Sequence, residues 1–206
     1  MIALIDYGMG NIHSVTKALE RVGGEVRRVT RPEGLSGCAR IVIPGVGAFR
    51  DCMATLRARG LDAALIDAAA AGVPLLGICL GMQILLSRSY EFGVHMGLGL
   101  IDGTVEPFPD SLPAQGCKIP HMGWNDIEPT VGHPVLDAIA GRQLYFVHSY
   151  FCRPYDDTHL LARCRHGTVG FAAAIGRGHL LGVQFHPEKS QSAGLDLLRA
   201  FVTWRP

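Results

Sequence analysis

The chain has 206 residues, 19 Lys and Arg against 18 Asp and Glu for a net charge of +1, and a 48% hydrophobic composition. Disordered chains combine low hydrophobicity with high net charge, and nucleic-acid binders carry an excess of cations, so this balance excludes both. A chain of this length buries about 70% of the surface its unfolded form exposes, enough for one substantial core, and residues 1–206 are expected to form a single domain.

Elements alternate in the first half. Ile2–Ile5 reads as a short apolar strand leading into a glycine-rich turn, Tyr7-Gly-Met-Gly-Asn11. Ile12, Val15, Leu19 and Val22 are spaced for one helix face, and Gly23-Gly24 stops that helix. Strands are expected at residues 25–30 and 41–43, the second ending in Pro44-Gly-Val-Gly47. A helical pattern covers residues 49–71 with a break near Gly60, followed by a strand at 73–78 and a helix at 80–87. This order predicts a mixed, largely parallel α/β sheet flanked by helices. In the second half, strands are expected at 100–108, 122–128, 143–150, 169–175 and 179–185, with Gly176-Arg-Gly178 as a hairpin turn. A helix over 192–204 closes the chain, with Leu195, Leu198, Phe201 and Val202 inward.

Residues 68–86 carry no charge over 19 positions, near the length of a bilayer span. Gly72, Pro74, Gly77 and Gly81 interrupt them, so a helix, a buried strand and a second helix account for the run better, and no membrane association is expected. Six cysteines occur without a Cys-x-x-Cys pair, which gives zinc no ligand spacing, and neither a metal nor a cofactor is expected. The start, Met1-Ile-Ala-Leu-Ile-Asp6, lacks the basic segment of a secretory leader, and a reducing, cytoplasmic setting is expected.

Gly77-Ile-Cys79-Leu-Gly81 lies between an expected strand and helix and has the spacing of a nucleophile elbow. The turn is tight, so the positions two before and two after the nucleophile must be small. Cys79 would then project at the sheet's C-terminal edge, at a helix N-terminus that favours thiolate, with the Leu80 N–H available to an oxyanion. A cysteine among Leu and Ile is more often plain core, and the paired glycines bring the two readings level.

His186-Pro-Glu188 follows the last strand, 107 residues downstream. Residues two apart in an extended segment share a side. Glu188 could therefore orient His186 as the acid does in a nucleophile–base–acid triad. Of the other eight histidines, His13, His133, His159, His166 and His179 read as solvated, His95 is uninformative, and His121 and His148 are less easily dismissed. The loop Gly45-Val46-Gly47 ends a strand and opens a helix. Its backbone could supply a second oxyanion donor, since it lacks the spacing of either common phosphate-binding fingerprint.

Gly77-Ile-Cys-Leu-Gly-Met-Gln83 together with His186-Pro-Glu188 resembles the class I, triad-type glutamine amidotransferases, a flavodoxin-like architecture. Asp6-Tyr-Gly-Met-Gly-Asn11, Pro120-His-Met-Gly-Trp-Asn125, Tyr145-Phe-Val-His-Ser-Tyr150 and His186-Pro-Glu-Lys-Ser190 narrow the resemblance to the glutaminase subunits of imidazole glycerol phosphate synthases. It implies that Cys79 attacks the glutamine amide, that His186 moves the proton and that Glu188 orients His186. It further implies that Gln83, Gly47, His148, Ser149 and Tyr150 hold the substrate. A (β/α)-barrel cyclase subunit that receives ammonia is the implied partner, with Asn11, Met122, Trp124, Asn125 and Lys189 as candidates for the surface facing it. Three alternatives stay open: a glutaminase serving anthranilate, aminodeoxychorismate or pyridoxal phosphate synthesis, a catalytically silent scaffold for the barrel, and a flavodoxin-like thiol hydrolase.

Overall fold

In the computed structural model, which describes residues 1–206, strand and helix alternate through the first half of the chain. The elements there are β1 (Ile2–Ile5), α1 (Ile12–Arg21), β2 (Val26–Val29), β3 (Arg40–Gly45), α2 (Phe49–Ala58), α3 (Leu61–Ala70), β4 (Leu75–Cys79) and α4 (Leu80–Gln83). Strands follow as β5 (Leu86–Ser89), β6 (His95–Met96), β7 (Ile101–Pro107), β8 (His121–Asp126) and β9 (Glu128–Pro129). Then come β10 (Gln143–His148), β11 (Tyr150–Pro154), β12 (Leu160–His166), β13 (Val169–Arg177), β14 (Leu180–Val183) and the closing helix α5 (Gln191–Thr203).

The main sheet has the order β2-β1-β3-β4-β14-β13-β12-β9. Its first five strands are parallel neighbours, and β13, β12 and β9 extend it antiparallel. Strand side chains alternate between faces, and β1 shows the consequence. Ile2 and Leu4 pack with Val15 and Leu19 of α1 and Leu197 and Phe201 of α5. Ala3 and Ile5 pack on the other side with Phe49, Met53 and Leu56 of α2 and Leu61 and Leu65 of α3. Two smaller sheets, β10-β8 and β11-β7-β5-β6, stand beside the main one.

Local signals explain most boundaries. The Asn11 side chain accepts the Ser14 N–H at 3.4 Å, capping α1, and Gly60 at φ +68° separates α2 from α3. Arg177 pairs with Leu180, so Gly178-His179 forms the two-residue turn of the β13–β14 hairpin.

Several expectations are corrected. Residues 80–87 are not one helix: α4 is a single turn and β5 follows. Leu80 to Leu86 are all buried, which a helix with one apolar face does not need. The Ile84 and Leu85 carbonyls accept instead from the N–H groups of Leu98, Leu100 and Ile101 at 2.8–3.0 Å. Residues 143–150 are not one strand either, because His148 pairs with His121 in one sheet and Tyr150 with Pro107 in another. Residues 122–128 divide likewise into β8 and β9 around buried Ile127. In α5 the inward residues are Leu197, Leu198 and Phe201, with Leu195 and Val202 half-buried. The uncharged run 68–86 is spread over several short elements, and no helix is long and apolar enough to cross a membrane.

β3, β4 and β14 are central neighbours and end together: Gly45 pairs with Cys79, and Val183 with Ile78. The loops that leave these strands converge at the carboxyl edge, where open α/β sheets place their ligands.

Candidate active site

Cys79 sits at the β4–α4 junction with φ +54° and ψ −109°, a region that L side chains rarely occupy. The flanking glycines are demanded by close approach. A Cβ at Gly77 would lie 2.4 Å from the Gly81 carbonyl oxygen, and one at Gly81 would lie 1.8 Å from that of Ile43. The thiol is thus thrust from the sheet edge by a turn that only this glycine spacing closes. Because α4 has four residues, the helix dipole expected at Cys79 reduces to the backbone N–H groups of one turn.

His186 follows β14, and its Nδ1 lies 2.9 Å from Glu188 Oε1, with both side chains buried. Its other ring nitrogen, Nε2, is buried without a hydrogen-bond partner in the molecule. Burial works against charge on this imidazole, but interaction with the Cys79 thiol and the Glu188 carboxylate outweighs it and raises the pKa to about 10. A base that holds the proton of a neighbouring thiol is the arrangement of an activated cysteine nucleophile. Gln184, fully buried on the approach to His186, donates its side-chain N–H to Cys79 Sγ at 3.6 Å.

Cys79 and His186 open into a cleft of about 560 Å³, a size suited to a small metabolite. Val46, Gly47, Leu80, Gln83, His148, Ser149 and Tyr150 all line it, as expected from the sequence. Gly45 does not; it lies behind, where a Cβ would meet the Tyr7 hydroxyl at 2.6 Å and Leu80 at 2.8 Å. Glu91, Phe92, Pro120 and Val147 also line the cleft and were not singled out in the sequence. Glu91 is the one acidic residue of the lining, and its carboxylate is fixed by the Phe49 N–H at 2.6 Å. No periodicity marks it, because it belongs to the turn between β5 and β6. A lone polar residue in the apolar run before His186 was the available signal for Gln184.

The Asp6–Asn11 turn packs against the Pro44–Gly47 loop. The buried Tyr7 hydroxyl donates to the Pro44 carbonyl at 2.8 Å, and burial raises its pKa far above the ordinary range, so it remains a donor. Gly47 has φ +96°, and a Cβ there would approach Met9 Cε to 2.7 Å.

The candidates for a partner surface divide. Met122 and Trp124 are exposed on the outer side of β8, Trp124 stands edge-on to Tyr145, and Lys189 Nζ lies 5.7 Å from the Tyr145 ring centre. Asn11 spends its side-chain oxygen on the α1 cap, and Asn125 turns inward to hydrogen-bond His121 and the Arg165 carbonyl.

The solvated reading fails for four histidines, among them His159, whose Nδ1 is buried. His179 bonds the Ala69 carbonyl and His166 the Lys118 carbonyl, while His133 stacks near Trp204 with its pKa lowered by burial. All six cysteines are free, and burial pushes the thiols of Cys52 and Cys164 up to about 12. No group of three or more His, Cys, Asp or Glu side chains is arranged to hold a metal ion.

Comparison with known proteins agrees with this geometry. The family model described as glutamine amidotransferase class-I matches residues 3–203. The imidazole glycerol phosphate synthase subunit HisH of Salinibacter ruber is 46% identical, with 98% of this chain and 94% of that protein aligned. The protein of the same name from Chloroflexus aurantiacus is 47% identical over 99% and 96%. Among solved structures, one described as a glutamine amidotransferase superposes with a TM-score of 0.75 at 20% identity, covering 97% of this chain and 98% of that one. The PurLQS structure from Thermotoga maritima gives 0.76 at 20% identity, over 97% and 96%. At such identity these two speak for the fold alone. Both the family model and the near full-length relatives establish that the chain belongs to the class I glutamine amidotransferases, within the group of imidazole glycerol phosphate synthase HisH subunits.

Proposed function

We propose that the chain hydrolyses glutamine to glutamate and ammonia through Cys79, His186 and Glu188. The observation that carries this reading is a cysteine in a strained elbow opening into the same cleft as His186, whose Nδ1 is held by buried Glu188. Cys79 passes its proton to His186 as its Sγ attacks the carboxamide carbon, and the negative charge that develops on the carboxamide oxygen is met by backbone N–H groups of Leu80 and the Val46–Gly47 loop. His186 delivers a proton to the departing nitrogen, ammonia leaves, and a γ-glutamyl thioester remains. His186 then takes a proton from water, which cleaves the thioester to release glutamate and the thiol. Glu188 holds the imidazole by its Nδ1 throughout. Gln83 and the His148-Ser149-Tyr150 segment grip the substrate, and Glu91 faces its α-ammonium group.

The ammonia serves histidine biosynthesis. It passes to a (β/α)-barrel cyclase subunit, which makes imidazole glycerol phosphate and an aminoimidazole carboxamide ribotide. The HisH name of the relatives supports this pairing. Exposed Met122 and Trp124, with Lys189 on Tyr145, offer the apolar centre and charged rim of a docking face, and Asn125 lies on the opposite side of β8.

Glutamate release is the test, measured for this chain alone and mixed with the barrel cyclase carrying its nucleotide ligand. A rise of at least about tenfold in the mixture is expected if the partner completes the site. Equal rates with and without the cyclase would assign the glutaminase to another pathway. No glutamate in either case would overturn the enzymatic reading.

A further inference from the structure

Three histidines cluster at the cleft: His148 lines its wall, and His121 and His166 stand behind it with no part in the hydrolytic mechanism. His121 and His148 are buried, and the His166 ring stacks on His121 with centres 4.4 Å apart. The hydrogen bonds around the first two have only one consistent direction. The Arg165 carbonyl can only accept, so the Asn125 atom 2.8 Å from it is the amide nitrogen, and Asn125 Oδ1 takes the Asp126 N–H at 2.9 Å. The other amide hydrogen points to His121 Nε2 at 3.1 Å, which must therefore carry a lone pair. His121 then holds its proton on Nδ1 and donates to His148 Nε2 at 3.2 Å. His148 in turn is protonated on Nδ1 and donates to the Tyr150 carbonyl at 2.8 Å.

That carbonyl accepts a second bond, from Gln83 Nε2 at 3.1 Å. The remaining hydrogen of Gln83 Nε2 goes to Gln184 Oε1 at 3.2 Å, which turns Gln184 Nε2 toward Cys79 Sγ. Both lone pairs of the Tyr150 oxygen are thereby engaged, one from the histidine side and one from the cleft. Both imidazoles are kept neutral: burial, with His166 nearby, lowers His121 to about 4. For His148, burial outweighs the bond to Tyr150 and lowers the pKa to about 3.

We propose that Asn125 and His121 are positioning residues for the glutamine cleft, forming the outer links of a one-way relay through His148 that fixes the Tyr150 carbonyl from which Gln83 hangs. The relay begins on β8, whose opposite side exposes Met122 and Trp124, so it ties the cleft to the strand beneath that surface. Its effect on substrate rests on the glutaminase reading, whereas its direction does not.

Direction is read by nitrogen-15 NMR of the histidine rings in the whole chain near pH 7. His121 and His148 are both expected neutral with the proton on Nδ1, opposite to the preference of free histidine. In Asn125→Asp, which has no hydrogens to give, the His121 proton is expected to move to Nε2 and His148 to lose its donor. Either ring protonated on Nε2 in the parent protein, or both unchanged in Asn125→Asp, would overturn the relay. His121→Phe, which retains ring packing, is expected to raise KM for glutamine about tenfold, the worth of one buried hydrogen bond, with kcat within about threefold. His121→Asn, which can donate from the same side as Nδ1, is expected to restore much of that loss. An unaltered KM in His121→Phe would remove the positioning role. Absence of glutamine hydrolysis in the parent protein would strike the glutaminase reading, and the NMR result would still decide the relay.

Discussion

Replacing Cys79 with alanine is expected to lower glutamate release by at least about 10⁴-fold, because the covalent route is lost and the remaining donors act only on bound substrate. Alanine is the informative choice because position 79 already holds an L side chain at φ +54°, so the backbone is not asked to change. The thermal midpoint should therefore remain close to that of the parent protein. A second consequence separates loss of chemistry from loss of structure. The raised pKa of His186 depends on Cys79 as well as Glu188, and burial opposes it. Without the thiol, the imidazole is expected to titrate well below about 10, which NMR of the His186 ring would follow. Glutamate release above one part in a hundred of the parent rate, or a His186 titration unmoved by the substitution, would remove Cys79 from its assigned role.

Gly81→Ala is expected to destabilise the fold rather than merely slow the reaction. Its Cβ would fall 1.8 Å from the Ile43 carbonyl oxygen, and backbone, unlike the end of a flexible side chain, has little room to give. Relief requires β3 and β4 to separate at the point where Gly45 pairs with Cys79. A loss of about 4 kcal/mol is expected, or roughly 10 °C in the midpoint of thermal unfolding for a chain of this size. Gly132→Ala is the control, with no atom near its added Cβ and no positive φ, and should stay within about 0.5 kcal/mol. Comparable midpoints for the two variants would show that the elbow glycines are not set by crowding.

The elbow was legible in the sequence because its constraint is local. Two glycines flanking a cysteine between a strand and a helix state a steric requirement that needs no distant partner, and the clashes at Gly77 and Gly81 are that requirement in atomic form. His186 and Glu188 were legible for a similar reason, two residues of one extended segment sharing a side. The parallel half of the sheet followed from alternation of element types. What escaped depended on contacts far apart in the chain. Residues 84 and 85 continue a helical apolar pattern, but their carbonyls are claimed by Leu98, Leu100 and Ile101. The change of sheet at Ser149 was missed because residues 143–150 read as one strand, and the polar pair His148-Ser149 fits a continuing strand as well as a break. β12 was passed over although Arg163 and Arg165 alternate with buried Ala162 and Cys164. In the site, Glu91 is brought to the cleft by its bond to the Phe49 N–H, 42 residues away in sequence. Asn125 was assigned by motif to an outward surface, while the pleat of β8 turns it to the same side as His121.

The central claim is that Cys79 attacks the side-chain amide carbon of glutamine, and a glutamine-analogue electrophile tests it most directly. A chloroketone or diazoketone that carries the amino-acid portion of glutamine would be incubated with the whole chain and its cysteines mapped by mass spectrometry. The account expects rapid inactivation with one label per chain, on Cys79, and protection by glutamine. Cys52 and Cys164 should stay unmodified, because burial raises the pKa of their thiols to about 12. A label on half-exposed Cys38 or Cys117, or labelling of Cys79 that glutamine fails to slow, would contradict it.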